Sequence, residues 1–297
     1  MNTGELLVEM VAMPLVAFVV GLGLVLMMRV VRARIERRIG PPLLQPLYDI
    51  IKLYAKQTQI SHGIMVDVAV MLLLGGYIAS ELFLPVPGMD GLAKQGDLLT
   101  LMYLLMVPML GLALGVGQCA NPNGSIGISR ALTAMLAYDV PFVVMVAGVA
   151  IFYGTTNLVE IAQIQQQSGV WGLWDMPLLA LGGLIAVHGM MGKEPFEIYV
   201  APAEIATGPM VEMNGKYLGA LFVMQCFQLY TLGVIYTTLF LGGGTDWLTF
   251  LAKVFAVVFI SVAITNVYGR YRTEDVVLWM WKYPTGLALA GLAMVML

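Results

Sequence analysis

Residues 193–216 read KEPFEIYVAPAEIATGPMVEMNGK, a short connection between two strongly apolar segments that carries four carboxylates, Glu194, Glu197, Glu204 and Glu212. The rest of the chain avoids charge. It has 297 residues, is 60% hydrophobic and 11% charged, and has a mean hydropathy of +0.86, whereas soluble domains carry about 25% charged residues. This balance predicts an all-α, polytopic helical membrane protein and argues against a soluble enzyme or a nucleic-acid-binding domain. Ionisable groups beside or within a bilayer are costly and mark ion pathways or buried partner contacts. The plainer alternative is a solvated loop whose acids face water, as most connections do. The net charge of −3 decides little.

Outward from this stretch, eight segments are long enough to cross a hydrocarbon core: 6–28, 64–84, 97–117, 131–153, 176–192, 217–241, 246–267 and 275–297. A crossing helix needs roughly 17–25 residues. The fifth segment is short, and Lys282 and Pro284 interrupt the eighth. Continuous apolar runs, rather than alternation, argue against a barrel. The leading MNTGE lacks the basic region of a cleavable signal, so the first segment is expected to persist as a span. The chain 1–297 reads as a single integral membrane domain, with a basic loop at 29–63 and the acidic loop at 193–216.

Twelve of the fifteen basic residues fall in alternate loops: Arg29, Arg32, Arg34, Arg37, Arg38, Lys52 and Lys56, then Arg130, then Lys193 and Lys216, then Arg270 and Arg272. The positive-inside rule places these loops in the cytoplasm and both termini outside. The outer connections read as plain linkers, apart from a glutamine run with Trp171 and Trp174, expected as interfacial anchors. Chemistry or docking therefore belongs to the inner face, including 117–130, read as a helix end and a tight loop.

In the first inner loop, Gly40-Pro41-Pro42 cannot continue a helix. Pro46 suits the first turn of a new one. Leu47, Ile50, Ile51, Leu53 and Tyr54 recur at helical spacing, with Asp49 and Lys52 largely opposite. This predicts a short amphipathic surface helix, resting on lipid headgroups or serving as a platform for a soluble partner. Prolines at 195, 202 and 209 forbid one straight helix through the acidic loop and predict short turns. Non-helical backbone at that depth must be buried or line a wet cavity. Crowded carboxylates there hold protons nearer neutrality.

Within the spans, Asp139 followed by Pro141, Glu81, Asp67, Lys253 and Lys282 are static ion-pair members or parts of a polar axis through the bundle. Glu81 also reads as simply interfacial. Cys119 and Cys226 lack any metal-ligand spacing and read as small core residues. His62 and His188 are poorly placed to face each other as haem ligands, and His188 is expected to be packed. No glycine pattern for cradling phosphate appears.

Gly40-Pro41-Pro42-Leu43-Leu44-Gln45-Pro46, with Asp49, Lys52, Leu53 and Lys56, resembles the first cytoplasmic loop of the H-subunit family of respiratory complex I. Arg130-Ala131 with Ala137-Tyr138-Asp139-Val140-Pro141 resembles that family's tyrosine-acid-x-proline helix. Glu194-Pro195-Phe196-Glu197, Ala203-Glu204, Gly208-Pro209 and Glu212 to Gly215 resemble its acidic loop, and together the motifs span nearly the full chain. The compressed Gly-Pro-Pro-Leu-Leu-Gln form is similar to the membrane subunit of group 4 membrane-bound nickel–iron hydrogenases of the energy-converting and formate hydrogenlyase types. Residues 198–203 depart from the usual Pro-Glu-Ala-Glu form, and Met213-Asn214 stands where Tyr-Ser is typical.

The resemblance implies a subunit of a prokaryotic plasma-membrane hydrogenase, evolving hydrogen from reduced ferredoxin and moving protons or sodium ions. It implies no redox centre in this chain. The nickel–iron (NiFe) centre and iron-sulfur clusters would sit in hydrogenase small and large subunits and a ferredoxin-like subunit on the cytoplasmic face, beside antiporter-like membrane subunits. On this reading Arg34, Arg37, Arg38, Gly40, Pro41, Pro42, Gln45, Asp49 and Lys52 support the peripheral arm. Glu194, Glu197, Glu204, Glu212 and Asp139 form the ion path, and Lys253 is a candidate member without a motif. A quinone-site subunit of a complex I relative, a stand-alone ion transporter and a purely structural anchor are the alternatives.

Overall fold

The computed structural model describes residues 3–58, 63–118 and 121–297. His62 and Cys119 lie outside the described residues. Within them the chain is helical apart from turns, and its only β feature is an isolated bridge between Val86 and Met89.

Six helices are long and apolar enough to cross a membrane. The first is α1 (Thr3–Ile35). At 33 residues it is about 50 Å long, so it is longer than a hydrocarbon core and can carry Arg29, Arg32 and Arg34 beyond it at its C-terminal end. It therefore ends later than the apolar run to residue 28. Its end is a Schellman turn: Arg38 N–H donates to Ala33 O at 2.7 Å, with Arg37 left-handed at φ 58°. The surface helix α2 (Gln45–Ala55) follows, with Pro46 in its first turn and Pro46 and Ile50 buried.

The next long helices are α3 (Ile64–Glu81), α4 (Leu98–Val116) and α5 (Pro122–Tyr153). Helix α5 corrects the expected loop at 117–130. The Asn121 side chain accepts from Asn123 N–H at 2.9 Å and Pro122 occupies the first turn, which starts the helix nine residues before the apolar run. Gly127 sits in that extension because a Cβ would come within 2.6 Å of Pro209. The long connection 154–175, with its glutamine run and Trp171 and Trp174, is built from α6 (Leu158–Ser168) and α7 (Gly172–Asp175). Buried Gln165 holds them: Nε2 donates to Thr238 O and Leu239 O, and Oε1 accepts from Gly172 N–H at 3.0 Å.

The fifth expected span is α8 (Pro177–Met190), only 14 residues long, about 21 Å at 1.5 Å per residue. Two short elements, α9 (Pro202–Ile205) and a 3-10 turn (Gly208–Met210), break the acidic loop at its prolines as expected. Then come α10 (Gly215–Phe240), α11 (Trp247–Val267), α12 (Thr273–Lys282) and α13 (Pro284–Met296). The eighth expected crossing is thus two helices split at Pro284. Its second half packs on α8, where a Cβ on Gly182 would meet Pro284 O at 2.9 Å and one on Gly291 would meet Leu179 N at 2.6 Å.

Helix α10 is the axis of the bundle: 78% of its apolar window is buried, against 44% at most in the other long helices. Small residues let neighbours approach it closely. Gly21 of α1 is the tightest case, since a Cβ there would lie 2.3 Å from Cys226 O. Because that neighbour is backbone, it cannot swing away. Gly21→Ala should destabilise the isolated subunit by about 1–3 kcal/mol, read as a lower thermal midpoint in detergent. Gly23→Ala, whose nearest neighbour is the Phe255 ring tip at 3.4 Å, should leave it unchanged.

Candidate functional site

The acidic loop does not act as one cluster. Glu194 and Glu197 converge beneath Arg270, which lies between α11 and α12. Arg270 Nη2 donates to Glu197 Oε2 at 2.8 Å and Nε to Glu197 O at 2.6 Å, and Nη2 stands 3.9 Å from Glu194 Oε1. Arg32, at the end of α1, approaches Glu194 Oε1 at 3.7 Å. The two glutamate side chains retain only 16% and 20% exposure, so they are sheltered by their own subunit.

The backbone here is held from several sides. His188 Nε2–H donates to Glu194 O at 3.0 Å, and Tyr271 N–H donates to Pro195 O at 3.0 Å. Phe196 packs edge-on against His188 and Tyr271 and tilts against Trp279. His188 is thus a packed positioning residue, as its sequence context suggests. Burial pushes the Glu197 carboxyl above its usual range and the negative charge of Glu194 adds to it, while Arg270 opposes both. Burial pushes neighbouring Lys193 the opposite way, lowering it, while the charges of Glu197 and Glu194 work against that. An acid raised and a base lowered side by side bring their proton affinities closer together, the pattern of a proton-exchanging site.

Glu204 lies elsewhere. It is 54% exposed and pairs with Arg130 at 2.6 Å, whose hydrogen bond holds its carboxyl below the usual range. Glu212 is half-buried beyond the 3-10 turn. Lys253 sits apart, at the C-terminal end of α10, where Nζ donates to Leu241 O and Gly243 O at 2.6 and 2.7 Å and stacks over Trp171. It caps helix carbonyls there. Asp67 is likewise occupied, accepting from Tyr217 Oη–H and Lys216 Nζ.

Asp139 is placed differently. It faces a cavity of about 30 Å³ walled by Tyr77, Tyr138, Tyr199 and Gln228. Among the described residues no cation and no hydrogen-bond donor reaches its carboxylate. A second cavity of about 70 Å³ holds Lys193, Glu197, Tyr199, Gln225 and Gln228 in its wall. Tyr199 and Gln228 border both, with Leu112 and Met224. Tyr199 and Gln228 also border a third of about 10 Å³, so they are the polar members of the partition between Glu197 and Asp139. A buried water needs roughly 10–15 Å³ of such space and polar partners. The two larger spaces have the room, and their polar side chains are confined to the tyrosines, Gln225, Gln228 and the titratable groups in otherwise apolar walls.

At the basic end of α1, Asp49 pins α2 to α1. It accepts from Arg29 at 2.6 Å and Gln45 at 2.8 Å. Burial pushes its carboxyl up, but those two hydrogen bonds outweigh it and leave it below its usual range. Arg34, Arg37, Arg38, Pro42 and Lys52 are exposed, and Gly40 and Pro41 half-buried. Ile39 and Leu43 beside them are 92% and 79% exposed, an apolar ridge among cations. Among the described residues no three His, Cys, Asp or Glu side chains converge as a metal site.

The NADH dehydrogenase family profile matches residues 8–296. The chain belongs to this family. It is 27% identical over 288 residues to the H-subunit of NADH-quinone oxidoreductase from Geobacillus kaustophilus, covering 90% of this chain and 85% of that one. The corresponding H-subunit of Carboxydothermus hydrogenoformans is 27% identical over 279 residues, covering 88% and 79%. Among solved structures, a chain of the membrane-bound sulfane sulfur reductase, an archaeal respiratory membrane complex, superposes with a TM-score of 0.93 at 35% identity, covering 98% of this chain and 99% of its own. This family member is a multi-pass prokaryotic membrane protein, a membrane subunit of the complex I H-type within a respiratory oxidoreductase complex.

Several groups of the site do not stand out in the sequence. Arg29 and Arg270 count there only toward topology, because their partners lie 20 and 73 residues away. Tyr199 and Gln228 pass unremarked, although a glutamine amid the apolar run of α10 is a visible signal.

Proposed function

We propose that the chain anchors a soluble redox arm on the inner membrane surface and relays protons between that arm and the bundle interior. The observation that carries this reading is that the cavity of Glu197 and Lys193 and the cavity of Asp139 share one wall, in which Tyr199 and Gln228 are the polar members. Arg34, Arg37, Arg38, Lys52 and the Ile39–Leu43 ridge form the seat for the arm. A change of charge above Glu194 and Glu197 shifts the proton affinity of Glu197, and Asp139 takes or returns the proton through trapped water.

For the arm itself, the compressed Gly40-Pro41-Pro42-Leu43-Leu44-Gln45 loop supports a nickel–iron hydrogenase, evolving hydrogen from a reduced ferredoxin. The redox centres belong to partner subunits. The identity of 35% to a chain of the sulfane sulfur reductase supports a second reading, a sulfur-reducing arm. Purifying the intact complex through this chain and analysing metals and products separates them. The hydrogenase reading expects nickel with iron and hydrogen from a low-potential donor. Sulfide formation without hydrogen favours the second, and quinone-dependent turnover without nickel contradicts both.

A further inference from the structure

Glu81 closes α3 at what reads in sequence as an interfacial position, yet it is 1% exposed. Its carboxylate meets the Thr231 hydroxyl of α10. Thr231 Oγ also lies 2.8 Å from Phe227 O. A threonine hydroxyl has a single hydrogen, so it cannot donate to both oxygens. In one arrangement Thr231 donates to Phe227 O and Glu81, as the acid, donates to Thr231 Oγ. In the other Glu81 is a carboxylate and Thr231 has turned to donate to it. The two differ by one proton and one hydroxyl rotation.

The surroundings favour a proton as the ligand. Among the described residues no lysine or arginine lies within 4.0 Å of Glu81. From α3 itself the titratable neighbour is Tyr77, and from α10 it is Tyr230. Helix α4 brings no charged residue, and α1 brings Glu9, which is engaged with Gly91 N–H at 2.9 Å. None of these supplies a positive charge. The oxygens present, from Glu81, Thr231 and Phe227, fall short of the six or so a hard metal cation such as Ca²⁺ gathers.

The pair also lies in line with the relay. Tyr77 precedes Glu81 by four residues on α3, and Gln228 precedes Thr231 by three on α10, so each couple shares a helix face. Tyr77 and Gln228 both wall the Asp139 cavity. Glu81 and Thr231 therefore stand one turn beyond it, farther from the acidic loop. We propose that Glu81 and Thr231 form a proton-storage site that exchanges with Asp139. This rests on the relay reading given under Proposed function.

The test uses the intact complex in vesicles, with redox-induced infrared difference spectra and proton translocation measured on the same preparation. Wild type should show a turnover-dependent band from a protonated, unsolvated carboxyl, and Glu81→Gln should lack it. Glu81→Gln and Thr231→Val should translocate about a tenth as many protons per electron or fewer, as expected when a positioned proton-transfer group is lost, and Thr231→Ser should restore wild-type behaviour. If Glu81→Gln keeps both band and translocation while Asp139→Asn loses translocation, the storage site is overturned and the relay stands. If both variants translocate normally, both fall. Where Glu81→Gln does not assemble, Thr231→Val against Thr231→Ser gives the same decision.

Discussion

Asp139→Asn should all but abolish proton translocation while the complex assembles and its arm still transfers electrons to a soluble acceptor. The expectation follows from what surrounds the side chain. Asp139 has no counter-charge and no hydrogen-bond donor among the described residues, so exchanging its carboxyl for an amide of the same shape breaks no contact. Removing an ionisable group from membrane depth is, if anything, favourable to folding. The amide, however, cannot accept and release a proton at working pH. A positioned proton-transfer group contributes about 10²–10⁴ in rate, so translocation should fall by at least about 100-fold. Dye-reported acidification in inverted vesicles, set against redox turnover in the same sample, measures both. Unaltered translocation would remove Asp139 from any path.

The second large effect is at Arg270. Its guanidinium donates two hydrogen bonds to Glu197, one to the carboxylate and one to the backbone carbonyl. Arg270→Gln leaves two sheltered carboxylates facing each other with Arg32, 51% exposed, and a half-buried Lys193 as remaining cations. Losing a charged, largely buried hydrogen-bonding group costs on the order of 3 kcal/mol. Arg270→Lys keeps the charge but not the fork, and should fall between. The loss has a pH signature. Burial and Glu194 already raise the Glu197 carboxyl in the folded protein, so its stability contribution is unfavourable once pH rises through the ordinary glutamate range toward the folded value. Without Arg270 that rise is larger. The variant should therefore approach wild-type stability in acid, where Glu197 is protonated, and diverge most at neutral pH. Thermal midpoints across pH, with protease cleavage in residues 193–200, test this. A uniform offset at all pH values would mean that Arg270 acts through packing alone.

Much of this architecture is legible in the order of apolar and polar residues. Six long helices, the α2 surface helix and the proline-broken acidic loop follow from helix length, periodicity and proline chemistry. The helix ends do not follow from hydropathy, because a capped helix continues through polar residues: Asn121-Pro122 starts α5 in what reads as loop, and α1 runs on through Arg34. The acids at 194, 197, 204 and 212 look alike in sequence, yet folding buries the first two under Arg270 and leaves Glu204 on the surface with Arg130. What separates them is tertiary pairing over long chain distances, which no local pattern encodes. Glu81 shows the same limit. Its place at a helix end suggests an interface, but α10 covers it.

The central claim is that Glu197 and Asp139 communicate through water across the Tyr199–Gln228 partition beneath a docked arm. A high-resolution density map of the intact complex tests it most directly. The account predicts ordered water in the cavities on both sides of that partition, and protein seated over Glu194, Arg270 and the Ile39–Leu43 ridge. Dry cavities, with those residues open to bulk solvent, would contradict it.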